Sequence, residues 1–324
     1  MPKLLLRGPI IGLVVHTMTA HAEPKLATTP TAVLAEHLTL SLAQGMRIEA
    51  RGHSIMAADA STEHETRGVL DVGKGRFVMM AYELFAAPGA DFKASVDANL
   101  KAQGVTATLE SLAVPAPLVG FGAAMTTTGK DDANLIYMAY IASGDRSVQL
   151  IAFYVNPDGF AADAAGFTAL AKKMAASIRA GKRALDVKAK DHKFRGAGSD
   201  KLVVSAPDGW VSSTQDGPDF SVYHLRKMVD LGASDSPSCG IYIGGHPSFQ
   251  HTQAGVPDAK VTQVAGKLLG AATSWHEWTN GGRTMTEAIV EHPLQKSLRV
   301  HVFCSAHGDL TPLRKIAETL RVEK

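Results

Sequence analysis

The chain has 324 residues, enough for two ordinary domains, and is 45% hydrophobic and 20% charged, a balance that suits a packed core and argues against a disordered chain. Its formal net charge is +2, and Lys3 and Arg7 lie in the first 22 residues, which hold no Asp or Glu, so the remainder carries 31 basic and 31 acidic residues. A formally neutral chain lacks the basic field on which binding to nucleic acid or an anionic membrane usually depends.

The N-terminus predicts a secretory signal over residues 1–22. Lys3 and Arg7 form a positive region, residues 8–15 a short apolar one, and Ala20-His21-Ala22 a small-x-small cleavage pattern before Glu23-Pro24. The apolar run is too short for a membrane anchor. No Cys stands at the expected new N-terminus to carry lipid, and no later stretch is long enough to span a membrane. The expected location is periplasmic or secreted.

In chain order, Leu40 to Met46 reads as a strand running into a turn at Gly45. Residues 67–72 and 76–85 read as strands around Gly73-Lys74-Gly75, where glycine supplies the positive φ of a tight reversal. Asp91 suits the start of a helix running to Gln103. Strands are expected over 118–126, 135–141 and 147–154, and a helix from Leu170 to Arg179. Sequential strands with short turns predict an antiparallel sheet whose face the helices cover.

The plan then recurs. Val204 to Trp210 matches Leu40 to Met46, with Gly209 in the place of Gly45. Asp258 opens a second expected mid-unit helix, to Leu269. Ser297 to Cys304 matches Ser147 to Tyr154, which sets Cys304 against Tyr154, and Leu313 to Arg321 matches the closing helix. The expectation is an α+β protein of two tandem domains, 23–181 and 200–324, each an antiparallel sheet flanked by helices. Residues 182–199, locally basic and ending in Gly196-Ala197-Gly198-Ser199, are the expected linker, with entry into the second sheet as the alternative.

Residues 202–210, with Pro207-Asp208-Gly209-Trp210, and the closing strand and helix at 297–321 resemble the PsbP-like fold of the extrinsic photosystem subunit and a Ran-binding import factor. The first copy departs from the pattern, with Ala43 for the Pro and Met46 for the Trp. The resemblance implies an antiparallel sheet with flanking helices, a tendency to bind macromolecules, and no shared active site.

Chemistry is sparse. Cys239 and Cys304 both lie in strand-like runs of the second half, and in an oxidising compartment they are expected to form a disulfide; two buried thiols are the alternative. The second half holds His224, His246, His251, His276, His292, His301 and His307. Neutral imidazoles with a carboxylate suit zinc or copper, yet the spacing matches no closed site and no His-Glu-x-x-His helix. Trp275 and Trp278 are candidates for a binding surface, with core packing as the alternative. Gly120-Phe121-Gly122 and Gly196-Ala197-Gly198 lack the rest of a phosphate loop, and Ser238 lacks the preceding glycine of a nucleophile elbow. The sequence therefore predicts no catalytic residue and no cofactor. It points to an exported non-catalytic binding or accessory protein of the cell envelope, whose partner is an envelope protein or other macromolecule. The alternative is a metal-binding protein or metal-dependent enzyme built on the histidines of the second half.

Overall fold

The computed structural model describes residues 25–49, 65–128, 133–143, 147–184, 187–196, 198–217, 219–233 and 236–324; the expected signal, 1–22, lies outside them. The first half contains β1 (Thr31–Val33), β2 (Leu38–Leu40), β3 (Arg47–Glu49), β4 (Glu65–Val72), β5 (Gly75–Glu83), α1 (Phe92–Ala102), β6 (Glu110–Ser111), β7 (Leu118–Thr128), β8 (Asn134–Ser143), β9 (Gln149–Val155), α2 (Pro157–Ala176) and β10 (Arg179–Ala180). The second contains β11 (Lys190–Arg195), β12 (Lys201–Ala206), β13 (Trp210–Asp216), β14 (Phe220–Lys227), β15 (Ser238–Gly244), α3 (Gln250–Gln253), β16 (Thr262–Leu268), β17 (Ala271–Asn280), β18 (Arg283–Glu291), β19 (Arg299–Ala306), α4 (Thr311–Glu318) and β20 (Arg321–Glu323). Among the described residues these make two seven-stranded antiparallel sheets, ordered β3-β4-β5-β9-β8-β7-β6 and β13-β14-β15-β19-β18-β17-β16. Two three-stranded sheets, β1-β2-β10 and β11-β12-β20, accompany them in the same relation. The strand order is thus the same, strand for strand, in both halves.

Local chemistry explains the landmarks. Gly45 and Gly209 both adopt φ +84°, a left-handed conformation that a side chain makes costly. Val72 pairs with Gly75 across a two-residue turn in which Gly73 has φ +59°. Asp91 caps α1 by accepting from the Ala94 amide at 3.0 Å. Asn156 does the same for α2, whose first residue is Pro157.

Three expectations are corrected. Asp258 opens only a one-turn 3-10 helix, Asp258–Lys260, and the rest of the stretch read as helix is β16, at the sheet edge. The stretch read as linker, 182–199, contains β11, which pairs with β12 over six residues from Lys190↔Ala206 to Arg195↔Lys201. Helical flanking is also uneven, since α1 has 11 residues and α3 has four.

The fourth correction concerns register. Counting on from the paired glycines, Arg47↔Val69 corresponds to Val211↔Arg226, the next pair Val69↔Val78 to Arg226↔Ser238, and Val78↔Tyr154 to Ser238↔Ser305. Tyr154 therefore matches Ser305, and Cys304 matches Phe153. The match of Cys304 with Tyr154 expected from sequence is one residue out, a slip that moves a side chain to the other face of a sheet. Phe153 is fully buried against α2 whereas Tyr154 packs on the opposite face.

Each sheet buries one face beneath its closing helix and small sheet. In the first half that core includes Phe77, Met79, Ile151 and Phe153 with Leu170 and Met174 of α2. In the second it includes Leu225, Ile241, Val302 and Trp275 with Leu313 and Ile316 of α4. The other face of the first sheet forms a further core, in which Met80, Met138 and Ala152 lie under Val96 and Leu100 of α1. Leu231, from the second half, completes it. The halves are joined there by a backbone bridge, Ala87 N to Val229 O at 2.8 Å and Leu231 N to Ala87 O at 2.7 Å.

Candidate functional site

The outer face of the second sheet differs from its counterpart position by position. Where the first sheet has Val69, Val78, Met80, Met138, Leu150, Ala152 and Tyr154, the matched register positions of the second carry Arg226, Ser238, Gly240, Glu287, His301, Phe303 and Ser305. An apolar face needs a cover and has α1; a polar face does not, and here only the four-residue α3 crosses one end of it.

Beneath α3 lies Glu287, which is 1% exposed. Its Oε1 accepts from the His251 amide at 2.9 Å, His251 Nδ1 at 2.8 Å and Trp278 Nε1 at 3.2 Å, and its Oε2 from the Gln250 amide at 2.7 Å and His301 Nε2 at 2.8 Å. Burial alone would raise this carboxyl, but the donors outweigh it and hold the group at about 2. An ionised carboxylate only accepts, so the facing nitrogens of His251 and His301 carry protons. His276 stacks on Phe249 with centroids 4.4 Å apart, and burial and His251 push its pKa down. The five bonds satisfy the carboxylate and clamp α3 to the sheet. They leave Glu287 no lone pair for a metal, and no group of three or more His, Cys, Asp or Glu among the described residues is arranged to hold one.

Beyond α3 the face opens into a groove of about 370 Å³. Its lining includes Arg226, Arg283, His224, Ser238, Ser305 and Phe303. A Cβ on Gly240 would come within 2.1 Å of Phe303 Cζ, so the ring lies across a position only glycine fits. The Arg283 guanidinium bonds the Ser236 carbonyl at 3.2 Å, the Ser305 carbonyl at 3.3 Å and Ser305 Oγ at 3.1 Å. Arg226 lies over the Phe85 ring of the first half, 5.3 Å from its centroid, and burial lowers its pKa.

The expected site residues fall in different places. Trp275 is 0% and Trp278 5% exposed, on opposite faces of β17, so neither presents a surface. Their odd spacing separates them in a strand, where faces alternate. Cys239 and Cys304 are directly paired across β15 and β19 with Cα atoms 4.0 Å apart and their sulfurs bonded. His246 and His307 are exposed, and His292 is buried beside Asp200, 3.4 Å from Nε2 to Oδ2. Its Nδ1 accepts from the Leu294 and Gln295 amides, which leaves the proton on Nε2, toward Asp200. Only His251, His276 and His301 converge. Glu287 and the two arginines carry no signal in the sequence, because their partners come from separate strands.

No protein-family model matches the chain, and no curated protein does. Among solved structures, MucB in complex with MucA(peri) aligns at 11% identity over 89% of each chain, with a TM-score of 0.21. The T6SS immunity protein TplEi from Pseudomonas aeruginosa, complexed with an "L" peptide, aligns at 10% identity over 90% of this chain and 96% of that one, again at 0.21. Likenesses of this strength carry no argument about fold or function. No helix among the described residues is long and apolar enough to cross a membrane.

Proposed function

We propose that this is an exported, non-catalytic binding protein of the cell envelope, and that it binds its partner on the outer face of the second sheet. The observation that carries the reading is the contrast between matched positions. The first sheet's outer face is apolar and covered by α1, and the second's is polar, arginine-bearing and open beyond α3. Selection for stability alone favours the covered apolar face. A bonded cysteine pair suits an oxidising compartment, in keeping with the signal read from the first 22 residues. The PsbP-like resemblance of residues 200–322 leads to the same class of function. The first half supports this surface, setting the Phe85 ring against Arg226 and taking Leu231 into its own core.

A photo-reactive residue at position 305, in the groove, and another at Lys93, on α1, test this reading in intact cells. Crosslinking to an envelope component from position 305 and not from position 93 is the expected result. Equal yields from both positions, or none from 305, would count against it.

A further inference from the structure

The groove's chemistry defines what it accepts. We propose that it takes the carboxylates of an acidic peptide segment, with Arg226 as the recognising group; this rests on the binding reading above and adds the class of partner.

Charge is the first argument. Among the described residues, the groove's lining includes Arg226, Arg283 and His224 and no Asp or Glu. Arg226 is half-buried, and among the described residues its interaction is with the Phe85 ring, with no carboxylate in ion-pair reach. Withdrawing a guanidinium from water without an anion is unfavourable, and its lowered pKa reflects that desolvation. A carboxylate relieves the cost, because the planar guanidinium offers two parallel N–H donors matched to its two oxygens.

Size is the second argument. In the first half the same face accommodates an 11-residue helix, which seats Val96 and Leu100 on the sheet. The second half offers that space with α3 cut to four residues. Phe303 and Met285 line the groove beside the arginines, so a segment carrying both carboxylates and apolar side chains has partners for each.

The test uses the full mature chain and a fluorescein-labelled peptide of Glu, Ala and Leu, followed by anisotropy, with a Lys, Ala and Leu peptide as control. The acidic peptide should bind, weaken as salt rises and lose at least tenfold in affinity in Arg226→Gln, while the basic peptide does not bind. Ser305→Glu, which sets a carboxylate in the groove without touching Arg226, should weaken binding in the same way. Equal affinity for the two peptides, or full affinity in both variants, overturns the proposal. Displacement by inorganic phosphate where acetate has no effect assigns the groove to phosphate and overturns it too. These peptide and competition arms need only the unmodified chain, so a poorly folded variant does not decide the outcome. Should the peptide fail while crosslinking from position 305 persists, the carboxylate assignment falls and the binding reading stands; failure of both removes both.

Discussion

Arg226 stands in the second sheet where Val69 stands in the first: each pairs with the matched residue of the neighbouring strand, Arg226 with Ser238 and Val69 with Val78. Val69 is 1% exposed. A charge at a position that a buried valine fills in the matched sheet is kept at the expense of stability. Arg226→Val should therefore raise the urea midpoint of the second half, a gain in stability of about 1 kcal/mol. All three tryptophans, Trp210, Trp275 and Trp278, lie in that half, so their fluorescence follows it alone. A lowered midpoint would mean that Arg226 is a packing residue.

Reduction of the Cys239–Cys304 bridge should loosen the second half selectively. The cysteines are 65 residues apart, and the chain-entropy model gives about 4 kcal/mol for such a loop. At the matched position the first half has Met79 opposite Phe153, both fully buried, and depends on packing. Urea titration with and without dithiothreitol should shift the tryptophan transition, while hydrogen exchange of the first sheet's amides, followed across the same titration, stays nearly unchanged. A parallel loss in both signals would show that the halves unfold as one.

Acid should act through Glu287. Its folded pKa, about 2, lies below the ordinary carboxylate value of 4.5, so its contribution is full above pH 4.5 and is lost as pH falls toward 2. The tryptophan transition should weaken across that window. Glu287→Gln should flatten this dependence and cost roughly 3 kcal/mol at neutral pH, because the amide turns donors against donors. An unchanged slope in the variant would show that another group governs the acid transition.

Gly209→Ala isolates backbone strain. Nothing lies within 4 Å of a Cβ built there, yet φ is +84°. The substitution should destabilise the second half by about 1–2 kcal/mol with no clash to relieve. A neutral result in thermal unfolding would mean that the turn relaxes.

What was legible in the sequence was local. Gly45, Gly209 and the Gly73-Lys74 turn declare themselves because only glycine suits their geometry, and Asp91 because a cap needs an acceptor next to its helix. The stretch after Asp258 misleads because Val261, Val264, Ala265 and Leu268 repeat at helical spacing, whereas pairing with β17 from Thr262↔Glu277 to Leu268↔Ala271 makes it a strand. Tyr154 falls against Cys304 in the sequence because two apolar strands of equal character align as readily one residue out of register; only the ladder from the glycine turns fixes the count. The Glu287 cluster was invisible for a further reason. Its donors come from positions 250, 251, 278 and 301, and no spacing along the chain announces their convergence.

The central claim is that the open face of the second sheet binds an anionic partner through Arg226. It is tested most directly by crosslinking from position 305 in cells carrying either the unaltered arginine or Arg226→Gln, with equal amounts of folded protein confirmed by tryptophan fluorescence. The account predicts one crosslinked envelope species that is displaced by the acidic peptide in extracts and is lost in Arg226→Gln. A crosslinked species of undiminished yield in Arg226→Gln, indifferent to the peptide, would contradict it.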